Sequence, residues 1–170
     1  ALAYTRFTFP GRNKIYSSFV WDKQCFTGVD YIEEPSDDGI FKIVNDYSGE
    51  GWNTEVDDEL GNFDYLMGAD IDFRNPDVMS ELKYWGKWLL ETLPIDGFRL
   101  DAVKHISTEF LNEWLDAMRE ICDKELLIVA ENWVVDNFEE LDLLQAQIKG
   151  KFKIGIRIAA EEEPKFEFYT

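Results

Sequence analysis

Hydrophobic residues recur at helical spacing in the segment that begins at Pro76. They lie three or four residues apart, as on one face of an α-helix: Val78, Leu82, Trp85, Leu89 and Leu93. Asn75 is a good N-cap and Pro76 suits the first helical position. Pro94 disfavours helical geometry in the residue before it. The pattern therefore predicts an amphipathic helix over residues 76–92.

Two short segments follow this helix, and each is predicted to be a buried strand. The first runs over 95–102 and the second, ELLIVA, over 125–130. Between them, Ser107 or Thr108 caps a helix whose apolar residues fit one face: Leu111, Trp114, Leu115, Met118 and Cys122. A further helix is predicted over 137–148. Strands that alternate with amphipathic helices indicate a parallel sheet with helices outside it.

Both ends of the chain depart from this alternation. Residues 1–74 are rich in Gly, Asp, Asn and aromatic residues, with short strand-like pieces such as Gly39–Val44. They predict a loop-and-hairpin region without a hydrophobic core of its own. After Gly150, the segment KFKIGIRI alternates polar and apolar residues like an exposed antiparallel strand. It is not expected to continue the α/β alternation.

Composition narrows the class of protein. The chain has 170 residues, 45% of them hydrophobic, which suits one globular domain. A net charge of −18 argues against a nucleic-acid partner, which would need clustered Lys and Arg. The apolar runs are too short for a membrane span, so no membrane partner is expected. The charge suits a neutral substrate or a hard cation held by carboxylates, although an acidic solvated surface explains most of it.

The cysteines and the histidine restrict metal chemistry. Cys25 and Cys122 lie far apart and have no metal-ligand spacing, so we expect buried thiols rather than a disulfide. His105 is the single histidine of the chain, which excludes a multi-histidine zinc site within it.

Each of the two predicted strands ends in a carboxylate, Asp101 or Glu131. Alternate residues of a strand share a face, so Arg99 lies on the same face as Asp101. The carboxyl ends of parallel strands meet at one edge of the sheet, where this class of fold places its ligand chemistry. If the strands are parallel neighbours, both carboxylates face the same cleft.

Two carboxylates in one cleft suit the cleavage of a glycosidic bond. One attacks or stabilises the sugar carbon and the other protonates the leaving oxygen, and a separation of about 5–5.5 Å predicts retention. Arg99 would keep Asp101 ionised, and the apolar run before Glu131 would favour its protonated form. The alternative is that both carboxylates cap helices or form ion pairs with Arg99. The pattern alone leaves both interpretations open.

The segment GFRLDAVKH, followed thirty residues on by VAENW, resembles the α-amylase family of glycoside hydrolases, (β/α)₈ enzymes that act on α-glucans. Further blocks resemble the bacterial liquefying type in the same order: FTFPGRNKIYSSFVW, FTGVD, GNFDYLMGADIDFRNPDV and ELKYWGKWLLETLPIDGFRLDAVKHI. The resemblance covers about residues 6–145. It implies an α/β fold: part of a (β/α)₈ TIM barrel with a protruding, irregular, β-rich B domain.

The resemblance also implies a domain organisation. Residues 1–74 would form the B domain, with a calcium-binding segment at its end. Residues 75–150 would form the barrel from about its third helix to just after its fifth strand. Residues 151–170 fit the family poorly, and whether this tail is divergent, frameshifted or added is left open.

Catalytic roles follow from the matched positions. Asp101 matches the nucleophile, Glu131 the general acid/base, and Arg99 the arginine that hydrogen-bonds the nucleophile. Such enzymes hydrolyse α-1,4-glucosidic bonds inside starch-like glucans with retention of configuration. The alternatives are a transglycosylase or an oligosaccharide hydrolase of the same superfamily, or a non-catalytic glucan-binding module.

Substrate-binding roles are implied for three further residues. Lys104 and His105 match residues on the leaving-group side of the cleft. Trp133 matches an aromatic residue near the sugar subsites, and the alternative is a core tryptophan. The implied partner is an α-glucan such as starch or a maltooligosaccharide. The oligomeric state is unknown, and the sequence does not decide between the bacterial cytoplasm and secretion.

The segment GNFDYLMGADIDF matches the calcium-binding segment of the family. Asp64 and Asp70 would supply carboxylate oxygens and His105 its backbone carbonyl, while Asp72 is a weaker candidate. Ca²⁺ takes six to eight oxygen ligands, so this ligand set is chemically sensible. The alternative is an acidic loop rich in capping residues.

Two short segments depart from close relatives in the family. FTG at 26–28 replaces Phe-Asp-Gly, and WNT at 52–54 replaces Trp-Asp-Trp. Both changes remove carboxylates that help to build an additional metal cluster in some relatives. We therefore expect a single calcium ion and no such cluster.

Two family motifs have no counterpart in the chain. One carries an asparagine calcium ligand and a substrate-binding histidine, and the other, DNHD-like, carries the third catalytic aspartate. We therefore expect the chain to be a fragment of a longer enzyme. By itself it should have little or no hydrolase activity.

Overall fold

The computed structural model describes the chain in several stretches, and for the last two only the backbone: residues 18–47, 49, 51–54, 56, 67–132, 153–158 and 165–169. The chain divides between Trp88 and Leu89 into two compact units. The predicted helix over 137–148 lies outside the described residues.

A three-stranded antiparallel sheet forms the first unit, in the order β2–β1–β3. Strand β1 spans Phe26–Glu33, β2 spans Ser36–Lys42 and β3 spans Ala69–Ile71. Strand β1 lies in the centre and is largely buried along its first half, whereas β2 is exposed along most of its length. The expected hairpin is therefore present, although β2 begins earlier than the predicted piece Gly39–Val44.

The core of the first unit joins the sheet to the helix that follows it. Its buried members are Val78, Phe26 at the start of β1, and Cys25 just before it. Leu82 packs against them. The aromatic pair Phe19 and Trp21 also packs there. Part of this core therefore comes from the helix that follows the sheet.

Helix α1 spans Pro76–Thr92, which are the predicted bounds. The side-chain oxygen of Asn75 accepts a hydrogen bond from the backbone N–H of Asp77 at 2.9 Å, so Asn75 caps the helix. The predicted apolar face is only partly covered. Val78 is fully buried, but Trp85 remains 45% exposed and Leu93 44%.

A second sheet, in the order β4–β5–β6–β7, lies in the second unit. Its strands are Gly97–Leu100, Leu127–Asn132, Lys153–Ile158 and Lys165–Tyr169. Strands β4, β5 and β6 run parallel, and β7 is antiparallel to β6. The predicted parallel pairing of the first two strands is confirmed.

The expectation that the segment after Gly150 does not continue the α/β alternation is wrong. Residues 153–158 form β6, which has an antiparallel neighbour, β7, and also pairs in parallel with β5, so they continue the α/β sheet. Period-two alternation indicates a strand, whereas its neighbours depend on residues distant in sequence.

Helix α2, Thr108–Ile121, connects β4 to β5. The hydroxyl oxygen of Ser107 accepts from the backbone N–H of Phe110 at 3.2 Å, which settles the choice of cap. The predicted apolar face is buried except for the partly buried Cys122: Leu111, Trp114, Leu115 and Met118. A strand–helix–strand unit of this kind is typical of α/β proteins. Neither a complete barrel nor a B domain is established by the described residues.

The described residues also bear on the cysteines and on the length of the helices. Both cysteines are free thiols, Cys25 buried and Cys122 partly buried, so no disulfide joins them. Among the described helices, none combines the length and the apolar character that crossing a membrane requires.

Candidate active site

The register of β4 and β5 brings the predicted acids to one sheet edge. Arg99 pairs with Val129, and Leu100 pairs with Ala130. Asp101 directly follows β4, and Glu131 is the penultimate residue of β5. Since the strands are parallel, both carboxylates lie at the C-terminal edge, as predicted.

Arg99 joins the two acids through its guanidinium group. One terminal nitrogen lies 2.6 Å from Oδ1 of Asp101, and the other lies 2.8 Å from Oε2 of Glu131. Both are the short distances of charge-assisted hydrogen bonds. The ion pairing that the sequence left as an alternative is therefore present, and the contact between Arg99 and Glu131 is additional to the one expected with Asp101.

The three charged groups differ in exposure. The side chain of Asp101 is 70% exposed and that of Glu131 only 15%. The charge of Glu131 raises the pKa of Arg99 above its ordinary value, and Asp101 adds to this while desolvation opposes it. Arg99 is thus a permanent cation between one accessible and one enclosed carboxylate.

A tight turn after Asp101 ends β4. Ala102 has left-handed backbone geometry, with φ 46° and ψ 46°. Its carbonyl accepts a hydrogen bond from the backbone N–H of His105 at 3.0 Å, and the side chain of Val103 is fully buried. The turn fixes the half-buried Lys104 and His105 immediately beyond the acid.

The opposite face of the strands packs against the second-unit core. The ring of Phe98 meets that of Trp114 edge to face at 5.1 Å between centroids. Ile128 and Ala130 are buried on the same side of β5. Because alternate residues point to opposite faces, this apolar contact directs Arg99 and Glu131 to the other face.

Asp70, the predicted metal ligand in β3, accepts a hydrogen bond from the hydroxyl group of Thr27. Thr27 belongs to the FTG segment, and the other departing segment packs beside it. A Cβ added at Gly28 would overlap the Trp52 ring. A hydroxyl donor thus faces Asp70 at the position where close relatives carry a carboxylate.

Asp72 is fully buried, and its environment argues against the weaker metal role considered for it. Its carboxylate accepts from the side-chain amide of Asn45 at 2.9 Å and from the Nε of Arg74 at 2.8 Å. The backbone N–H of Arg74 and a second guanidinium nitrogen also donate to it. These donors occupy both oxygens, so Asp72 is a structural anion.

The remaining predicted site residues are not brought together in the described parts of the chain. Asp64 and Trp133 lie outside the described residues, while Asp70 belongs to the first unit and His105 to the second. Among described residues there is no group of three or more acidic, cysteine or histidine side chains suited to a metal. The calcium ligands and the sugar-stacking tryptophan therefore stay predictions.

Two backbone features of the site, at Ala102 and Gly97, were not predicted from the sequence. The left-handed conformation of Ala102 has no signature, because alanine is uncommon there. Gly97 did carry a signal, since a glycine inside a strand often marks a close approach of another backbone.

Comparison with known proteins shows similarity over most of the chain. Residues 16–147 match the family model described as the alpha amylase catalytic domain. The cytoplasmic alpha-amylase of Escherichia coli (strain K12) is 58% identical over 151 residues, which is 87% of this chain and 30% of that protein. The alpha-amylases of Bacillus licheniformis and Geobacillus stearothermophilus are 48% and 49% identical over 134 residues, which is 79% of this chain in each case. The match covers 25% of the former protein and 24% of the latter, so the chain spans under a third of each of these relatives.

Proposed function

The chain belongs to the alpha-amylase family, and we propose that it supplies two of the catalytic acids of a retaining enzyme that hydrolyses α-1,4-glucosidic bonds within starch-like glucans. One observation carries the proposal. Asp101 and Glu131 lie at the same edge of parallel strands, joined through Arg99. The names of the relatives support the substrate class.

In this proposal Asp101 is the nucleophile. Its side chain is largely exposed, so a sugar carbon can reach it, and Arg99 holds its Oδ1 at 2.6 Å. Attack by the Asp101 carboxylate forms a covalent glycosyl–enzyme bond while the glucosidic oxygen leaves. Water then cleaves that bond and restores the original configuration.

Glu131 is the proposed proton donor to the leaving oxygen. Its side chain is only 15% exposed, so the proton would be transferred at a largely enclosed position. Arg99 holds Oε2 of Glu131 at 2.8 Å, so proton donation from that oxygen requires that the contact loosen when substrate binds. After the first step, the carboxylate of Glu131 accepts a proton from the attacking water.

Lys104, His105 and Trp133 are the proposed substrate-binding residues. Lys104 and His105 follow the nucleophile on the same tight turn, where they can contact the leaving-group side of the glucan. Trp133, two residues beyond the acid, would pack against the apolar face of a glucose unit.

Calcium would be held by the carboxylates of Asp64 and Asp70 and by the backbone carbonyl of His105. Asp70 is half-buried beside the Thr27 hydroxyl, so the described donors there are the oxygens that Ca²⁺ prefers. The ion would stabilise the enzyme by binding to its folded state.

We further propose that 1–74 form a B domain and 75–150 the middle of a (β/α)₈ barrel. The right order of strand, helix and parallel strand supports the barrel assignment. The other barrel strands and the third acid would come from sequence outside this chain, which spans 30% of a close relative. The isolated chain is then expected to turn over little or no starch.

The experiment substitutes each acid in the complete enzyme that contains these residues. Asp101→Asn and Glu131→Gln should each lower kcat on maltooligosaccharides by about 10³-fold or more, with retained substrate binding. Asp123→Asn and Glu125→Gln are matched controls, because they make the same changes at exposed positions, and they should leave kcat unchanged.

Product analysis completes the test. Proton NMR of the first product should show the α-anomer, because two displacements retain configuration. Unchanged turnover in Asp101→Asn would contradict the catalytic role, and binding without any turnover by the complete wild-type protein would favour a glucan-binding module. A β-anomeric first product would contradict the retaining mechanism.

A further inference from the structure

Gly97 is the first residue of β4, and the backbone of β5 passes close to its Cα. It pairs with Leu127 in the parallel register. A Cβ added at Gly97 would overlap the carbonyl oxygen of Leu127 and would lie 2.7 Å from its carbonyl carbon and 2.9 Å from its Cβ. Carbon atoms pack at about 3.5–4.0 Å, so any side chain at position 97 would push one backbone away by close to 1 Å.

The same end of the two strands is tied by other contacts. The backbone N–H of Leu127 donates to the carbonyl of Asp96 at 3.0 Å. The side chain of Lys124 forms an ion pair with that of Asp96. These links oppose a local opening at the strand starts, so a displacement at position 97 is passed along the strands.

Gly97 lies two residues before Arg99 in β4. Arg99 pairs with Val129 and shares the face of Gly97, and Glu131 is two residues beyond Val129. The contact between Arg99 and Glu131 is 2.8 Å. An increase of about 1 Å would take it past hydrogen-bonding distance.

We propose that Gly97 is a positioning residue that sets the separation of β4 and β5 so that Arg99 reaches Glu131. The inference deepens the proposed function and rests on it for its catalytic meaning. The contact between Arg99 and Glu131 is measured without measuring turnover, so it is tested separately from the proposed function. Gly97 itself touches neither substrate nor the reacting atoms.

The experiment compares Gly97→Ala with wild type in the 170-residue chain by NMR of the arginine side chains. In wild type, two ion pairs restrain the guanidinium of Arg99, so its two terminal nitrogens should give separate signals. In Gly97→Ala the Glu131 contact is lost, rotation becomes faster, and the two signals should merge. Arg99→Lys identifies the signals by their disappearance.

Gly39→Ala is the matched control, because Gly39 also lies in a strand but its added Cβ would meet only the Phe41 ring, 3.2 Å away. It should leave the Arg99 signals separate. Separate signals in folded Gly97→Ala would overturn the proposal. Complete unfolding of Gly97→Ala would also overturn it, because Gly97 would then be needed for folding rather than for positioning. The near-ultraviolet circular dichroism of the Trp114 environment reports the folded state.

In the complete enzyme, Gly97→Ala should lower kcat by about 10²-fold with little change in KM, because moving β4 away from β5 also misplaces Asp101 relative to Glu131. Merged signals together with an unchanged kcat would leave the positioning of Arg99 intact and contradict the dependence of catalysis on the separation of β4 and β5. The two failures are thus distinguishable.

Discussion

Arg99 contributes more to the site than its spacing from Asp101 predicts. The i, i+2 pattern placed it beside one acid, but the guanidinium also reaches Glu131, which is 32 positions further along the chain. Its planar shape allows both contacts, because its terminal nitrogens donate in different directions. A lysine there would keep the charge and lose one of the two contacts.

Cys25 gives a prediction at the same scale. Burial raises the pKa of the Cys25 thiol above its ordinary value of 9.0. In the unfolded chain the thiol ionises near pH 9, while in the folded chain it holds its proton to higher pH. Its contribution to stability is therefore complete below pH 9 and is lost as pH rises above it. Urea unfolding at pH 8 and pH 10 should show this loss in wild type and not in Cys25→Ala.

Both proteins in that comparison should also carry Cys122→Ser, because this substitution removes the partly buried thiol. In the folded wild type, a thiol reagent at pH 8 should modify Cys122 well before Cys25. Equal labelling rates for the two cysteines would contradict the burial of Cys25.

At the level of elements, a buried ion pair fixes the segment between β3 and α1. Asp72 accepts from Arg74 and Asn45, and Arg74 also donates to the carbonyl of Gly51 at 2.9 Å. Asn75 adds a bond from its side-chain amide to the carbonyl of Gln24, again at 2.9 Å. Together these contacts attach the start of the helix to the loops around the sheet.

Asp72→Ala should therefore destabilise the first unit by roughly 2–3 kcal/mol. Breaking a fully buried pair costs about 3–5 kcal/mol, and less is expected here because Arg74 keeps a third of its side chain exposed and can be hydrated. The measurement is urea unfolding followed by tryptophan fluorescence. Asp46→Ala is the control, because its hydrogen bond to Gln24 is exposed, and a loss equal to that of Asp72→Ala would contradict the role of burial.

For the whole molecule, the proposed calcium site gives a further prediction. The complete protein should bind one Ca²⁺ tightly, and Asp70→Asn should weaken binding at least tenfold, since a carboxylate ligand is lost. Calcium at a hundred times its dissociation constant should add about 2.7 kcal/mol of stability, which chelation removes. Calorimetric titration tests the number of sites, and two or more tight sites would contradict the expected single ion. Asp46→Asn should bind as wild type does.

The elements were predictable because local pattern decides them. Asn75, Pro76 and Pro94 bound α1 correctly, and the apolar face of α2 was read from its spacing. Trp85 and Leu93 were less buried than their periodicity indicated, because periodicity marks a face and not the group that covers it. The bounds of β4 were narrower than the predicted strand 95–102, since backbone pairing and not residue type ends a strand.

The sequence by itself determined the family, the bounds of α1, and which acids end the two parallel strands, since these depend on residue type and short spacing. Only the tertiary structure decided that Arg99 also pairs with Glu131, that Asp72 is an internal anion, and that the strand at Lys153–Ile158 joins the parallel sheet. Each of these depends on strand register and burial between residues distant in sequence, which no local pattern specifies.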